Sequence, residues 1–126
     1  MCGICGQFRF DGEKVSSKSL TSMMSKLARR GPDSNGKWLE GKIGFGHQRL
    51  SIIDLSSYGN QPMVDDLLKI TLVFNGTIYN YKSLRSELIG KGYSFFSHSD
   101  TEVIIKAYHY WGEDCVKYLD GMFAFC

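Results

Sequence analysis

The sequence predicts an α+β fold built from short strands and amphipathic helices. Three observations carry that expectation. Leu20, Met23, Met24, Leu27 and Ala28 recur at helical spacing between Ser19 and Arg29. Residues 2–10 and 43–49 alternate at the strand period, and each is bounded by turn formers. Ser99-Asp100-Thr101-Glu102 has the form of a capping box ahead of a second apolar helical stripe.

The 126 residues suffice for one domain with a real core and are too few for two. A hydrophobic content of 43% excludes a mainly disordered chain. The net charge of +2, with no basic cluster beyond Arg29-Arg30, gives no reason to expect a nucleic-acid partner. No apolar run approaches membrane-spanning length and the N-terminus lacks a signal-peptide layout, so neither a membrane nor a secretory route is expected and the default location is cytoplasmic. Four cysteines in such a setting are expected as free thiols.

In chain order, residues 2–10 read as a strand with Ile4, Gly6, Phe8 and Phe10 on one face, followed by an Asp11-Gly12 turn. The helix from Ser19 to Arg29 is stopped by Gly31-Pro32. Strands at 37–40 and 43–49 bend at Glu40-Gly41, and the second carries Phe45, His47 and Arg49 on one face. Arg49 is the stronger functional candidate of that trio, because a guanidinium holds a carboxylate through two parallel hydrogen bonds. Residues 51–63 read as loop. Lys69 to Phe74 reads as a strand, and Asn80 as the N-cap of a helix carrying Leu84, Leu88 and Ile89. Asn75-Gly76, squeezed between that strand and that helix, is a poor hairpin. It offers a side-chain amide and a backbone N–H at a strand end, the parts of an oxyanion hole. Tyr93 to Ser97 reads as a strand, the capped helix runs from Ser99 to about Trp111, and a short helix reaches Leu119. Gly121 to Cys126 reads as the start of a buried strand.

Cys2 follows the initiator position. With Met1 removed it carries a thiol and a free α-amine, whose reference pKa of about 7.7–8.0 suits it to take the thiol proton and return it to a leaving group. Cys2 and Cys5 also form a C-x-x-C. Residues three apart on a strand point to opposite faces, and Cys115 and Cys126 do not supply a second ligand pair at matching spacing, so no metal site is expected. Cys5 reads as a small buried hydrophobe.

Taken together, Cys2-Gly3-Ile4, Arg30-Gly31-Pro32-Asp33, the run from Gly46 to Asp54, Gln61-Pro62-Met63, Asn75-Gly76-Thr77-Ile78-Tyr79-Asn80, Ser99 to Val103 and Gly121 to Phe125 resemble the glutamine amidotransferase domain of glutamine-hydrolysing asparagine synthetases. The details also look like the narrower branch that makes N-acetylglutaminylglutamine amide. The resemblance implies an N-terminal-nucleophile hydrolase fold, a four-layer αββα sandwich. It implies that Cys2 attacks the side-chain amide of L-glutamine and forms a thioester. The Asn75 amide and Gly76 N–H would stabilise the oxyanion, Arg49 would hold the substrate carboxylate and Asp100 its ammonium. Leu50, Ser51, Ile52 and Ile53 would line the pocket. Thr77 stands where the family usually has a glutamate that helps hold the substrate.

No cofactor is expected in this domain. The resemblance assigns ATP and magnesium to a C-terminal ATP-dependent synthetase domain that would receive the ammonia. Family members continue past the Gly121–Phe125 run, so residues 1–126 are expected to be a C-terminally truncated amidotransferase domain. The alternative reading is an inactive remnant that binds glutamine or a partner without turnover.

Overall fold

A computed structural model describes residues 1–126. Its strands and α-helices run in the order β1 (Gly3–Phe8), α1 (Ser17–Leu27), β2 (Ser34–Glu40), β3 (Ile43–Arg49), β4 (Met63–Asp65), β5 (Ile70–Leu72), β6 (Phe74–Ile78), α2 (Tyr81–Gly90), α3 (Asp100–Trp111) and β7 (Gly121–Phe125). Two 3₁₀ turns, Ser57–Gly59 and Gly112–Tyr118, fill connections. The helices are too short and too polar for any of them to cross a membrane.

The first sheet is antiparallel in the order β1-β3-β2, with Cys5 opposite Gly46 and Trp38 opposite Phe45. The helix α1 covers one face of it. That approach needs glycine at 46, where an added Cβ would sit 2.6 Å from Met24 Cγ and 2.8 Å from Cys5 Sγ. Since successive residues alternate faces, Phe45, His47 and Arg49 are turned the other way, toward the second half of the molecule. There β4 pairs with β5 and β6 with β7. Val73 and Cys126 exchange two backbone hydrogen bonds of 3.0 Å, which continue the β6–β7 ladder back toward β5. The outer side of these strands is closed by α2 and α3, whose Leu84, Leu88, Val103, Ile104 and Ile105 form one buried cluster with Met63, Leu72, Phe74 and Ile78. The layers therefore run helix, sheet, sheet, helix, as the α+β expectation requires.

Ser16, not a residue near 19, caps α1: its hydroxyl accepts from the Ser19 N–H at 3.4 Å, so the helix begins at Ser17, two residues before the expected Ser19. β2 begins at Ser34 rather than 37, because its register with Arg49 extends the ladder. β1 stops at Phe8 and leaves Phe10 exposed beyond it. Cys5 is half-buried, with burial raising its thiol pKa.

Three expectations are corrected. Residues 93–97 form no strand. The fully buried Glu102 carboxylate accepts the N–H groups of Phe96 at 3.0 Å and Ser97 at 2.7 Å, and the Ser97 hydroxyl at 2.7 Å. A side chain thus satisfies the amides that a neighbouring strand would otherwise take. The same contact dissolves half of the capping box: Ser99 Oγ accepts from the Thr101 N–H at 2.9 Å, but Glu102 does not return to Ser99. Asn80 precedes α2 without capping it. Its side chain donates to the Tyr118 carbonyl at 2.9 Å and accepts from the Asp120 N–H at 3.0 Å, which pins the approach to β7.

Behind α3, Lys106 donates to Asp65 in a buried ion pair and lies 3.6 Å from Glu102. Burial raises the Asp65 pKa, but the Lys106 ammonium and the amides of Leu68 and Leu67 outweigh it and hold the carboxyl below its usual value.

Candidate active site

One cleft opens where the two halves meet. Its lining includes Cys2, Arg49, Leu50, Ile52 and Ile53 from the first half and Asn75, Gly76, Thr77 and Asp100 from the second. The cavity between them is about 80 Å³ and opens to solvent.

Cys2 lies just before β1, next to the end of β3. The Leu50 N–H donates to Cys2 Sγ at 3.3 Å, and the thiol donates to the Leu50 carbonyl at 3.5 Å. Arg30 Nε donates to the Cys2 carbonyl at 3.1 Å. The thiol and its own backbone are thus fixed from two loops. Asp33 Oδ2 accepts the Ser51 N–H at 2.7 Å, which ties those loops together. Ser51, held by its backbone N–H, does not line the cleft as its neighbours do. Ile52 stands at the rim, 69% exposed.

Arg49 ends β3 and is buried under the loop it enters. Its Nη1 donates to the Ser56 carbonyl at 2.9 Å and to Asn60 Oδ1 at 2.7 Å, and its Nη2 donates to the Asp54 carbonyl. A guanidinium has five N–H groups; these three bonds leave two for a ligand. Asp54 in turn accepts from Ser56 and from the His98 N–H at 3.0 Å, closing the loop over the arginine.

Asn75 and Gly76 do not sit at a strand end. At Val73 the chain leaves its pairing with β4 and takes up pairing with β7, so both residues lie inside β6, Gly76 opposite Phe123. Gly76 has φ +154, and a Cβ there would meet the Met122 carbonyl oxygen at 2.2 Å. The Asn75 side-chain oxygen is buried without a hydrogen-bond partner. An unsatisfied buried polar atom costs about 1–3 kcal/mol, which a donor-bearing ligand would recover.

Asp100 opens α3. Its Oδ2 accepts the Ile78 N–H at 3.0 Å. Burial pushes its carboxyl up, opposed by the N–H groups of Ile78, Asp100 and Thr101. A cation placed beside it would favour the ionised form. The cleft can therefore take a thiol nucleophile's substrate between a buried guanidinium on one side and a buried carboxyl on the other. Met1, Asp54, Gly59, Gln61, Phe74, Ser99 and Thr101 also line it. Sequence reasoning had not assigned these to the site, although all but Met1, Gly59 and Phe74 stand within the motifs it quoted.

The fold is that of an N-terminal-nucleophile amidotransferase. It superposes on glutamine phosphoribosylpyrophosphate amidotransferase from Bacillus subtilis with a TM-score of 0.78 at 19% identity, over 97% of this chain and 34% of that one. A family model described as a glutamine amidotransferase domain matches residues 1–126. Asparagine synthetase [glutamine-hydrolyzing] 3 of Bacillus subtilis is 41% identical over 128 residues, which cover 99% of this chain and 21% of the relative. The putative asparagine synthetase [glutamine-hydrolyzing] 2 of Methanocaldococcus jannaschii is 40% identical over 144 residues, covering 100% and 27%. The chain belongs to the glutamine amidotransferase domain family. It spans about a fifth to a quarter of the length of these relatives.

Proposed function

We propose that residues 1–126 release ammonia from L-glutamine through Cys2, for ATP-dependent amide formation at a separate synthetase domain. The observation that supports this reading best is the convergence of Cys2, Arg49, Asn75, Gly76 and Asp100 on one cleft from opposite halves of the fold. In this reading Arg49 takes the substrate α-carboxylate and Asp100 the α-ammonium, which aims the side-chain amide at Cys2. The free α-amine of Cys2 accepts the thiol proton as sulfur bonds to the amide carbon. The oxygen that becomes negative is received by the Asn75 amide and the Gly76 N–H. The carbon–nitrogen bond breaks, the proton passes to the departing nitrogen, ammonia leaves and a thioester remains for water to hydrolyse. ATP and magnesium serve the synthetase domain, and the protein works in the cytoplasm.

With Met1 in place the nitrogen of Cys2 belongs to a peptide bond and has no basic lone pair. Met1 lines the cleft, so its removal both frees the base and clears space. The test treats the natural full-length protein with an electrophilic glutamine analogue and measures intact and peptide masses. The label is expected on Cys2 of chains lacking Met1. Label elsewhere, or turnover by chains that keep Met1, would contradict the mechanism.

Thr77 lines the cleft without a charge. A carboxylate paired with the substrate ammonium contributes about 1.5–3 kcal/mol, or about 10- to 150-fold in affinity. Thr77→Glu is therefore expected to lower the KM for glutamine by about tenfold or more. An unchanged or higher KM would mean that the cleft is built around threonine.

A further inference from the structure

Phe74 immediately precedes Asn75, and on the side of β6 away from β7 no strand pairs with it. Two buried side chains take the place of that strand. Gln61 Oε1 accepts the Phe74 N–H at 2.6 Å. His47 Nε2 lies 3.2 Å from the Phe74 carbonyl, which can only accept, so Nε2 carries the proton. Burial, opposed by the Phe74 carbonyl and aided by the nearby Arg49 charge, lowers the imidazole pKa to about 4.

Gln61 has a second end. Its Nε2 donates to Thr101 Oγ1 at 3.3 Å, inside the first turn of α3. The neighbouring Asp100 accepts the Ile78 N–H at 3.0 Å. β6 is thus tied to the start of α3 at two points, Phe74 through Gln61 and Ile78 through Asp100. Asn75, Gly76 and Thr77 lie between these ties. The β6–β7 ladder holds one edge of this segment, and these two side-chain bonds hold the other.

We propose that Gln61 is a positioning residue, clamping Phe74 to Thr101 so that Asn75 and Gly76 are held in register with Cys2 and with the Asp100 end of the cleft. The role rests on the glutamine-hydrolysing reading above. Gln61 acts through Phe74 and Thr101, and nothing in the proposed chemistry requires it to donate or accept a proton. Because oxyanion donors work only at about 2.7–3.1 Å from the developing charge, a small shift of β6 would reduce turnover more than substrate binding.

The experiment uses the natural full-length protein with Gln61→Met, which keeps length and volume but removes both hydrogen bonds. The conservative Gln61→Glu serves beside it; a protonated carboxyl can accept from Phe74 and donate to Thr101. Three readings are taken: glutaminase kcat and KM, the rate at which iodoacetamide alkylates Cys2 by peptide mapping, and hydrogen exchange of residues 74–78 and 34–49. Iodoacetamide alkylation forms no oxyanion and so reports on the thiol alone. Gln61→Met is expected to lower kcat about 10- to 100-fold, to leave KM and Cys2 alkylation within about threefold, and to speed exchange only in 74–78. Gln61→Glu is expected to recover most of kcat. Unchanged kcat and exchange, or kcat and alkylation falling together, would overturn the clamp. If the unsubstituted protein does not hydrolyse glutamine, the functional reading fails by itself, and the exchange at 74–78 still decides whether Gln61 holds β6.

Discussion

Cys2→Ala is expected to lower glutamine hydrolysis by the natural full-length protein by about 10⁴-fold or more, the scale at which a covalent nucleophile's loss is felt. The cleft offers no substitute. Cys5 is across the β1 pleat, packed toward α1 against Gly46, and Cys115 is buried in the α2–α3 cluster. Cys126 lies at the Val73 end of the ladder and does not line the cleft. Amide formation from added ammonia should persist in the same variant, because that chemistry is assigned to another site. Parallel assays of glutamate release and of ammonia-dependent product formation make the comparison. Loss of both activities in a folded variant would mean that Cys2 supports the structure rather than the first reaction alone.

Gly76→Ala is expected to damage both the β6–β7 pairing and turnover. The new Cβ would lie 2.2 Å from the Met122 carbonyl oxygen and 2.7 Å from Phe123 Cα. Both are backbone atoms of the paired strand, so no side chain can rotate away. Relief requires β6 and β7 to separate, which also moves Asn75. Backbone strain and overpacking of this kind cost about 1–3 kcal/mol each. Displacing the proposed oxyanion donors adds a fall of about 10²–10³ in kcat. Denaturant titration and steady-state kinetics well below the unfolding transition separate the two effects. A variant of lowered stability but normal kcat would show that Gly76 is required by the sheet alone.

What could be read from sequence follows the range of the interactions concerned. The helices α1 and α3 and the strands β1 and β3 were legible because periodicity and turn residues are local signals. Cys2, Arg49, Asn75 and Gly76, singled out by residue type, and Asp100, singled out by the family resemblance, all line one cleft. The misreadings came from partners distant in sequence or from side chains replacing backbone. Glu102 supplies the acceptors for residues 96 and 97, so an extended segment needs no strand beside it. Asn80 is drawn to Tyr118 and Asp120, 38 and 40 residues away, rather than to its own helix. Asn75-Gly76 looked terminal because the sequence does not announce the interruption at Val73 or the pairing with 121–125. Gln61 carries no local signal of its task; only the fold brings Phe74 and Thr101 to its two ends.

The Cys2 thiol is held by the main chain of Leu50, through both its N–H and its carbonyl. Truncating the side chain therefore does not delete this contact: Leu50→Ala retains the same amide and changes only the wall of the cleft. Only a change of backbone atoms exposes it. An amide-to-ester replacement at residue 50, made by semisynthesis, removes the one proton that the peptide nitrogen offers to sulfur and leaves every side chain of the cleft as it was.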